Sequence, residues 1–153
     1  MLVTAGLLQG CTFHDIDLIK DRRVQFVTPT DQATVRTPLT VRWHAKDTGT
    51  LTFAVFVDRR TMRAGATLRS LVPQDDTVCR SDPKCPDASW LSSNGVYLVK
   101  GTSLTLTSLK DNRPDNKQSA RDPHTITIVL LDGTKRAGEG SWSRQVYVDR
   151  SEM

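Results

Sequence analysis

The chain has 153 residues, a length that matches one domain, and it carries a formal net charge of +4. No apolar run approaches the ~18–20 residues that a membrane-spanning helix needs, and the composition excludes a collagen, a coiled coil and a large multidomain enzyme. Basic residues are scattered among acidic neighbours without interleaved aromatic side chains, so we expect no specific nucleic-acid site.

Residues 1–22 form an apolar arm before the first predicted strand. The tetrapeptide LQGC, which ends at Cys11, resembles a bacterial lipobox, in which Leu lies three residues before a Cys that becomes lipidated. The apolar residues before it resemble the end of a secretory signal, but the first basic residue is Lys20. Two interpretations stay open. The arm is either a truncated lipoprotein signal and tether, with Cys11 as the lipid attachment site, or a segment at 1–19 that packs against a partner.

Residues 23–150 are predicted to form one β domain, which begins with three strands. Val24–Thr28 is short and ends at a proline, and Leu39–Ala45 alternates apolar and polar residues. A loop that contains glycine then leads to a third apolar strand at 51–58, and this arrangement predicts a β-hairpin.

Residues 59–94 break the strand pattern and are interpreted as an insertion. Short helical turns are predicted at 66–72 and after Pro86. Cys79 and Cys85 flank a proline-containing loop that can bring their Cα atoms within disulfide range, so we expect a disulfide; a zinc half-site and two free thiols stay open as alternatives. A disulfide indicates an oxidising, extracytoplasmic compartment.

The insertion is also the candidate contact surface, because a connection of this length is uncommon without a function. Tryptophan and arginine dominate the hot spots of protein interfaces. The side chains expected to anchor a partner are Arg59, Arg60, Arg63, Arg69 and Trp90.

The strand pattern resumes after an Asn-Gly turn. Predicted strands follow at Val96–Val99, 103–109, 125–131 and 142–148, with an exposed polar loop at 110–123. About seven short strands without long helical periodicity predict an all-β fold, an antiparallel β-sandwich with a loop and short-helix insertion. The residues expected on the two inner faces are Trp43, Phe53, Val55, Ile126, Ile128, Val146 and Val148.

Several motifs resemble the immunoglobulin-like and fibronectin-type-III-like domains of bacterial surface proteins. VQFVTP at 24–29 and PLTVRW at 38–43 are similar to the opening strands of such domains, with Trp43 as the core tryptophan. ITIVLLDG at 126–133 and WSRQVYV at 142–148 are similar to the last two strands. The resemblance implies an immunoglobulin-like sandwich and, together with LQGC, a small bacterial lipoprotein. It does not include the insertion, and no pair of cysteines flanks the tryptophan.

No catalytic constellation is expected from the sequence. The histidines His14, His44 and His124 share no metal-ligand spacing, and surface or turn positions are expected for them. The residues around Ser141 lack the Gly-x-Ser-x-Gly order of a nucleophile elbow, and the paired aspartates have basic neighbours that disfavour calcium. We therefore expect no enzyme activity, no metal and no cofactor, and we do not expect a small-molecule ligand.

The sequence thus predicts a non-enzymatic binding or structural module at a bacterial cell envelope, either lipid-anchored or secreted. Its partner would be a protein that contacts residues 59–94, and its membrane contact would be limited to a lipid on Cys11. The alternative is an assembly or decoration subunit of a phage or other particle, which docks on its neighbour through residues 1–19. A small hydrolase or sugar-binding module is a third class, for which the sequence offers no candidate carboxylate pair.

Overall fold

The computed structural model describes residues 19–113 and 121–150. Cys11 and His14 lie outside the described residues, as does most of the predicted arm. A 3₁₀ turn (Leu68–Leu71) and two short helices, α1 (Thr77–Ser81) and α2 (Ala88–Ser93), form in the insertion. The strands in the described ranges are β1 (Val24–Thr28), β2 (Ala33–Val35), β3 (Leu39–Ala45), β4 (Thr52–Val57), β5 (Val96–Val99), β6 (Ser103–Leu106), β7 (Arg121–Asp132), β8 (Lys135–Arg136) and β9 (Trp142–Asp149).

The strands form two sheets. The smaller sheet is antiparallel and has the order β1-β3-β6, and the larger has the order β2-β9-β7-β4-β5, with β8 paired to β7. The pairing of β2 with β9 is parallel, so the larger sheet is mixed rather than purely antiparallel. The all-β sandwich is confirmed, and the described residues form nine strands, whereas the sequence pattern predicted about seven.

The main core lies between the two sheets, because alternate residues of each strand point inward. Trp43 of β3 is 2% exposed and packs edge-on against Phe53 of β4, with ring centroids 5.3 Å apart. Ile126 and Ile128 of β7 are fully buried in the same cluster. All seven residues predicted for the inner faces belong to this cluster, so the inward faces predicted for these strands are correct.

The insertion folds back over the outer face of the larger sheet. Met62, Leu68 and Leu91 are buried against Phe56 of β4 and Leu131 of β7, where they form a second apolar cluster. This cover explains why β4 is apolar and buried on both of its faces.

Aspartate caps and a disulfide organise the middle of the insertion. Asp76 accepts a hydrogen bond from the Cys79 N–H at the start of α1, and Asp87 accepts one from the Trp90 N–H at the start of α2. Cys79 and Cys85 form a disulfide pair with their Cα atoms 5.2 Å apart. The helical turns predicted at either end of the insertion are present, whereas the five-residue α1 is too short to have shown a helical period in the sequence.

The boundary predicted before β7 is wrong. The strand begins at Arg121, inside the expected loop at 110–123, and His124 is 1% exposed instead of lying at the surface or in a turn. A proline argues against a central strand because it lacks an amide hydrogen. Pro123 is tolerated here since β4 pairs with β7 only from Ile126 onward, so that Pro123 has a neighbouring strand on one side only.

Candidate functional site

An open groove lies where the insertion leaves the larger sheet. Its volume is about 480 Å³. The end of β4 and the first insertion residues form one wall, and outward-facing hydroxyl groups of β7 and β9 form the other. Every side chain along it can form hydrogen bonds. The lining residues are Asp58, Arg59, Arg60, Thr61, Thr125, Thr127 and Ser143.

The hydroxyl wall follows from strand alternation. Ile126 and Ile128 point into the core, so Thr125 and Thr127 point to the opposite face of β7. Thr127 is in register with Ser143 of β9, and their hydroxyl oxygens lie 2.7 Å apart. The insertion covers the β4 end of this face and leaves these hydroxyl groups along the groove.

Asp58 joins the two walls. Its φ of +53° is left-handed, a conformation that Asp tolerates better than most residues. The Asp58 N–H donates to the Thr125 carbonyl at 2.9 Å, and the Thr125 N–H donates back to Asp58 Oδ1 at 2.8 Å. This exchange fixes the carboxylate against β7. A non-glycine residue held in a left-handed conformation is grounds for a functional hypothesis about its side chain.

A buried imidazole lies behind Asp58. His124 Nδ1 is 2.7 Å from Asp58 Oδ2, and Nε2 is 3.0 Å from Asp122 Oδ2. The first contact is a hydrogen bond, whereas the second is an ion-pair contact without hydrogen-bond alignment. Both ring nitrogens therefore face carboxylate oxygens, an arrangement that favours the doubly protonated imidazolium.

The pKa of His124 is raised above its ordinary value of 6.5. Burial is the largest single influence and lowers the pKa, because it disfavours the charged ring. The hydrogen bond to Asp58 and the negative charges of Asp58 and Asp122 together outweigh burial. The contacts with Asp58 and Asp122 and the raised pKa thus favour the protonated form of His124, which pairs with the Asp58 carboxylate.

Asp122 is itself fully buried and has two further partners. Arg150, just after β9, approaches Asp122 Oδ2 with Nε at 2.5 Å and also donates to the Leu109 carbonyl at 2.8 Å. The Asn112 N–H donates to Asp122 Oδ1 at 2.9 Å. The buried cluster thus ties the end of β9 and the 109–112 segment to the start of β7.

A second depression of about 450 Å³ lies on the other side of Asp58 and Arg59. Asn94, Tyr97 and Asn112 are among its lining residues. Asp58 and Arg59 line both depressions and therefore lie between them.

Arg59, predicted as an anchor, bonds within the insertion. Its guanidinium donates to the carbonyl oxygen of Leu71 at 2.6 Å and to that of Asn94 at 3.3 Å, and it lies 5.6 Å from the centre of the Trp90 ring. Trp90 is half-buried, and its Nε1 donates to Asp76 Oδ2 at 2.9 Å. Arg59 and Trp90 therefore stabilise the insertion through these contacts. That they contact a partner stays a prediction.

The other predicted anchors lie apart from one another. Arg60 is exposed and lines the groove, and Arg63 is exposed but outside the groove lining. Arg69 donates to the carbonyl oxygens of Arg80, Asp82 and Cys85 at 2.5, 3.0 and 2.6 Å, so it braces the disulfide loop. The structure thus brings only Arg59 and Arg60 of the five to the groove.

Residues 19–113 and 121–150 contain neither a cluster of metal-ligating side chains nor a long apolar helix. No three His, Cys, Asp or Glu side chains in these ranges come together as a ligand set for a metal ion. No helix in the described part of the chain is long and apolar enough to cross a bilayer.

Comparisons with protein-family models, with curated proteins and with solved structures gave no significant match for this chain.

Sequence reasoning missed the buried cluster and the hydroxyl wall. The signal for the cluster was the alternation of β7, since Asp122 and His124 lie in phase with Ile126 and Ile128 and therefore point inward. The same alternation places the threonines of β7 outward. The sequence carries no local signal for the contact between Asp58 and His124, because 66 positions separate the two residues.

Proposed function

We propose that the chain is a non-enzymatic binding module that contacts a protein partner at the root of the 59–94 insertion. The observation that supports this function best is the groove itself, where a fixed carboxylate, arginines and hydroxyl groups line one accessible depression. Such a surface offers both donors and acceptors to a polar segment of a partner.

Binding is favoured over catalysis because the groove does not assemble an activated nucleophile. The hydroxyl oxygens of Thr127 and Ser143 are hydrogen-bonded to each other. His124, the base that a serine or threonine nucleophile would need, is fully buried and bonds to Asp58 instead. His124 is therefore not placed to activate a hydroxyl group of the groove.

An immunoglobulin-like connectivity is part of the proposal. In such domains strand C lies beside the last two strands, F and G, in one sheet, while strands A, B and E lie in the other. Here β9, β7 and β4 are neighbours in the larger sheet, and β1, β3 and β6 form the smaller one. This order, together with the buried tryptophan of β3, supports the resemblance seen in the sequence.

We further propose an extracytoplasmic location, on the support of the Cys79–Cys85 disulfide. Within that proposal the chain is a surface lipoprotein with Cys11 as its lipid attachment site. Assembly into a phage or other particle through residues 1–19 stays the alternative.

Site-specific photo-crosslinking tests the proposed contact surface. A photoreactive amino acid replaces Arg60 or Ser143 in the groove, and matched controls carry it at Arg42 or Thr105, which are exposed on the smaller sheet. We expect one discrete protein adduct from the groove positions in the cells that express the chain, and none from the controls. Equal adducts from both faces, or an adduct from the smaller sheet alone, would contradict the proposal.

A further inference from the structure

We propose that His124 is a proton-dependent latch on Asp58. The imidazolium holds the Asp58 carboxylate. When Nδ1 loses its proton, it accepts a hydrogen bond from Asn112 instead, and the Asp58 side chain is released into the groove. This inference concerns the buried cluster and does not depend on a partner. Its consequence for binding rests on the proposed function, because Asp58 lines the groove.

The protonated state is electrically balanced. The cluster pairs two carboxylates, Asp58 and Asp122, with two cations, His124 and Arg150. Each carboxylate has a cation within 3.0 Å. A buried charge without a partner is costly, so this balance stabilises the closed arrangement.

In the deprotonated state, His124 has an alternative hydrogen-bond partner. A neutral imidazole carries one N–H and one lone pair. The Asn112 amide nitrogen lies 3.3 Å from Nδ1 and can donate to it once that proton has left. The remaining N–H is then at Nε2 and faces Asp122, which Arg150 continues to neutralise.

Asp58 is the group that this change releases. With the proton gone, the Nδ1 lone pair faces the Asp58 carboxylate, and the two repel each other. The side chain of Asp58 is 23% exposed whereas that of Asp122 is fully buried, so Asp58 can move into water at low cost.

Other charged groups near the cluster lie in the 109–113 segment and directly after Asp58, where Arg59 and Arg60 line the groove with it. Asp111 and Arg113 are paired with each other at 2.7 Å. Arg113 also feels the charge of Asp122, and Asp111 that of Arg150. Asp111 and Arg113 thus act on Arg150 and Asp122. The pKa shift of His124 receives no contribution from Asp111, Arg113, Arg59 or Arg60.

Imidazole NMR on the full-length protein tests the latch directly, since nitrogen shifts report which ring nitrogen carries the proton. We expect His124 to be doubly protonated at pH 6 and to become the Nε2–H tautomer at higher pH. An imidazole that stays neutral below pH 6, or a neutral ring with its proton on Nδ1, would overturn the proposal.

Amide hydrogen exchange supplies an internal control. The Thr125 N–H donates to Asp58, whereas the Asn112 N–H donates to Asp122. Above the pKa of His124, the protection factor of Thr125 should fall by about tenfold while that of Asn112 holds, because only Asp58 is released. Parallel loss at both amides would indicate general loosening and would contradict a latch.

Two variants test the latch without replacing His124. Asp58→Asn removes the strongest influence that raises the pKa of His124, so it should shift the titration of His124 downward. His44→Gln, at an exposed position of β3, should leave that titration unchanged. An unchanged titration in Asp58→Asn would refute the latch, whereas failure of the photo-crosslinking experiment would leave the NMR result standing.

Discussion

Leu91→Ala is the sharpest test of how the insertion is held. Leu91 of α2 is 1% exposed and belongs to the cluster that joins the insertion to β4, β5 and β7. Truncation of a buried leucine to alanine costs about 2–5 kcal/mol, depending on how far the site collapses. Because the neighbours of Leu91 come from both the insertion and a rigid sheet, limited collapse is expected, and we predict a loss of about 3 kcal/mol.

The assay is urea unfolding, followed by far-UV circular dichroism and by tryptophan fluorescence. Trp43 lies in the main core and Trp90 in the insertion, so the fluorescence samples both parts. If the insertion folds as one unit with the sandwich, the two probes give coincident transitions, and both shift in Leu91→Ala. The thermal midpoint should fall by about 9 °C, since about 1 kcal/mol corresponds to about 3 °C in a domain of this size.

Leu98→Ala is the matched control. Leu98 lies on edge strand β5, and 47% of it is exposed, so its truncation should cost less than about 1 kcal/mol. Equal losses in Leu91→Ala and Leu98→Ala would refute the packing argument. The parent could instead show a separate transition at low urea concentration that is absent from Leu91→Ala, while the main transition is the same in both proteins. That result would show that the insertion is not part of the cooperative unit.

Two other predictions concern the insertion and its exit. Reduction of the Cys79–Cys85 disulfide should lower stability by about 2 kcal/mol, because it closes a loop with a sequence separation of only 6; equal denaturation midpoints with and without reductant would contradict this value. Gly95→Ala should destabilise by more than about 1 kcal/mol, since Gly95 has a φ of +73° and an added Cβ would lie 2.6 Å from the Val57 carbonyl oxygen. Gly101→Ala, where an added Cβ meets open space, should melt within a few degrees of the parent, and similar melting of the two alanine variants would show the reasoning to be wrong.

The pH dependence of stability follows from the sign of the His124 shift. A histidine whose pKa is raised on folding binds its proton more tightly in the native state. Its stabilisation is therefore complete below pH 6.5 and is lost as the pH rises through the native pKa. Denaturant titrations of the parent should show this decline, whereas those of Asp58→Asn should show a smaller one; stability that rises over the same interval would contradict the assignment.

Much of the sandwich could be predicted because its strands obey local rules. Alternation in β3 and β7 placed Trp43, Ile126 and Ile128 correctly in the core. The short β2 and β8 were missed, since two or three residues are too few to show a period. The early start of β7 was missed because of Pro123, since a proline usually argues against a strand. The strand accepts this proline only because β4 ends before reaching it.

The candidate site was only half predictable. Arg59 and Arg60 were singled out by residue type, and both line the groove. The part played by Thr127 and Ser143 depends on the register of β7 with β9, and the placement of Asp58 depends on a contact with His124 across the fold. Non-local pairings of this kind leave no periodic mark in the chain.

A substitution that fills the groove tests most directly whether the partner binds there. Ser143→Arg places a long side chain in the groove, and Thr105→Arg makes the same change on the smaller sheet. With the partner captured by photo-crosslinking, titration calorimetry should show Ser143→Arg binding at least about tenfold more weakly than the parent, a loss of about 1.4 kcal/mol, and Thr105→Arg binding as the parent does. Unchanged affinity in Ser143→Arg, or equal weakening in both variants, would contradict the claim.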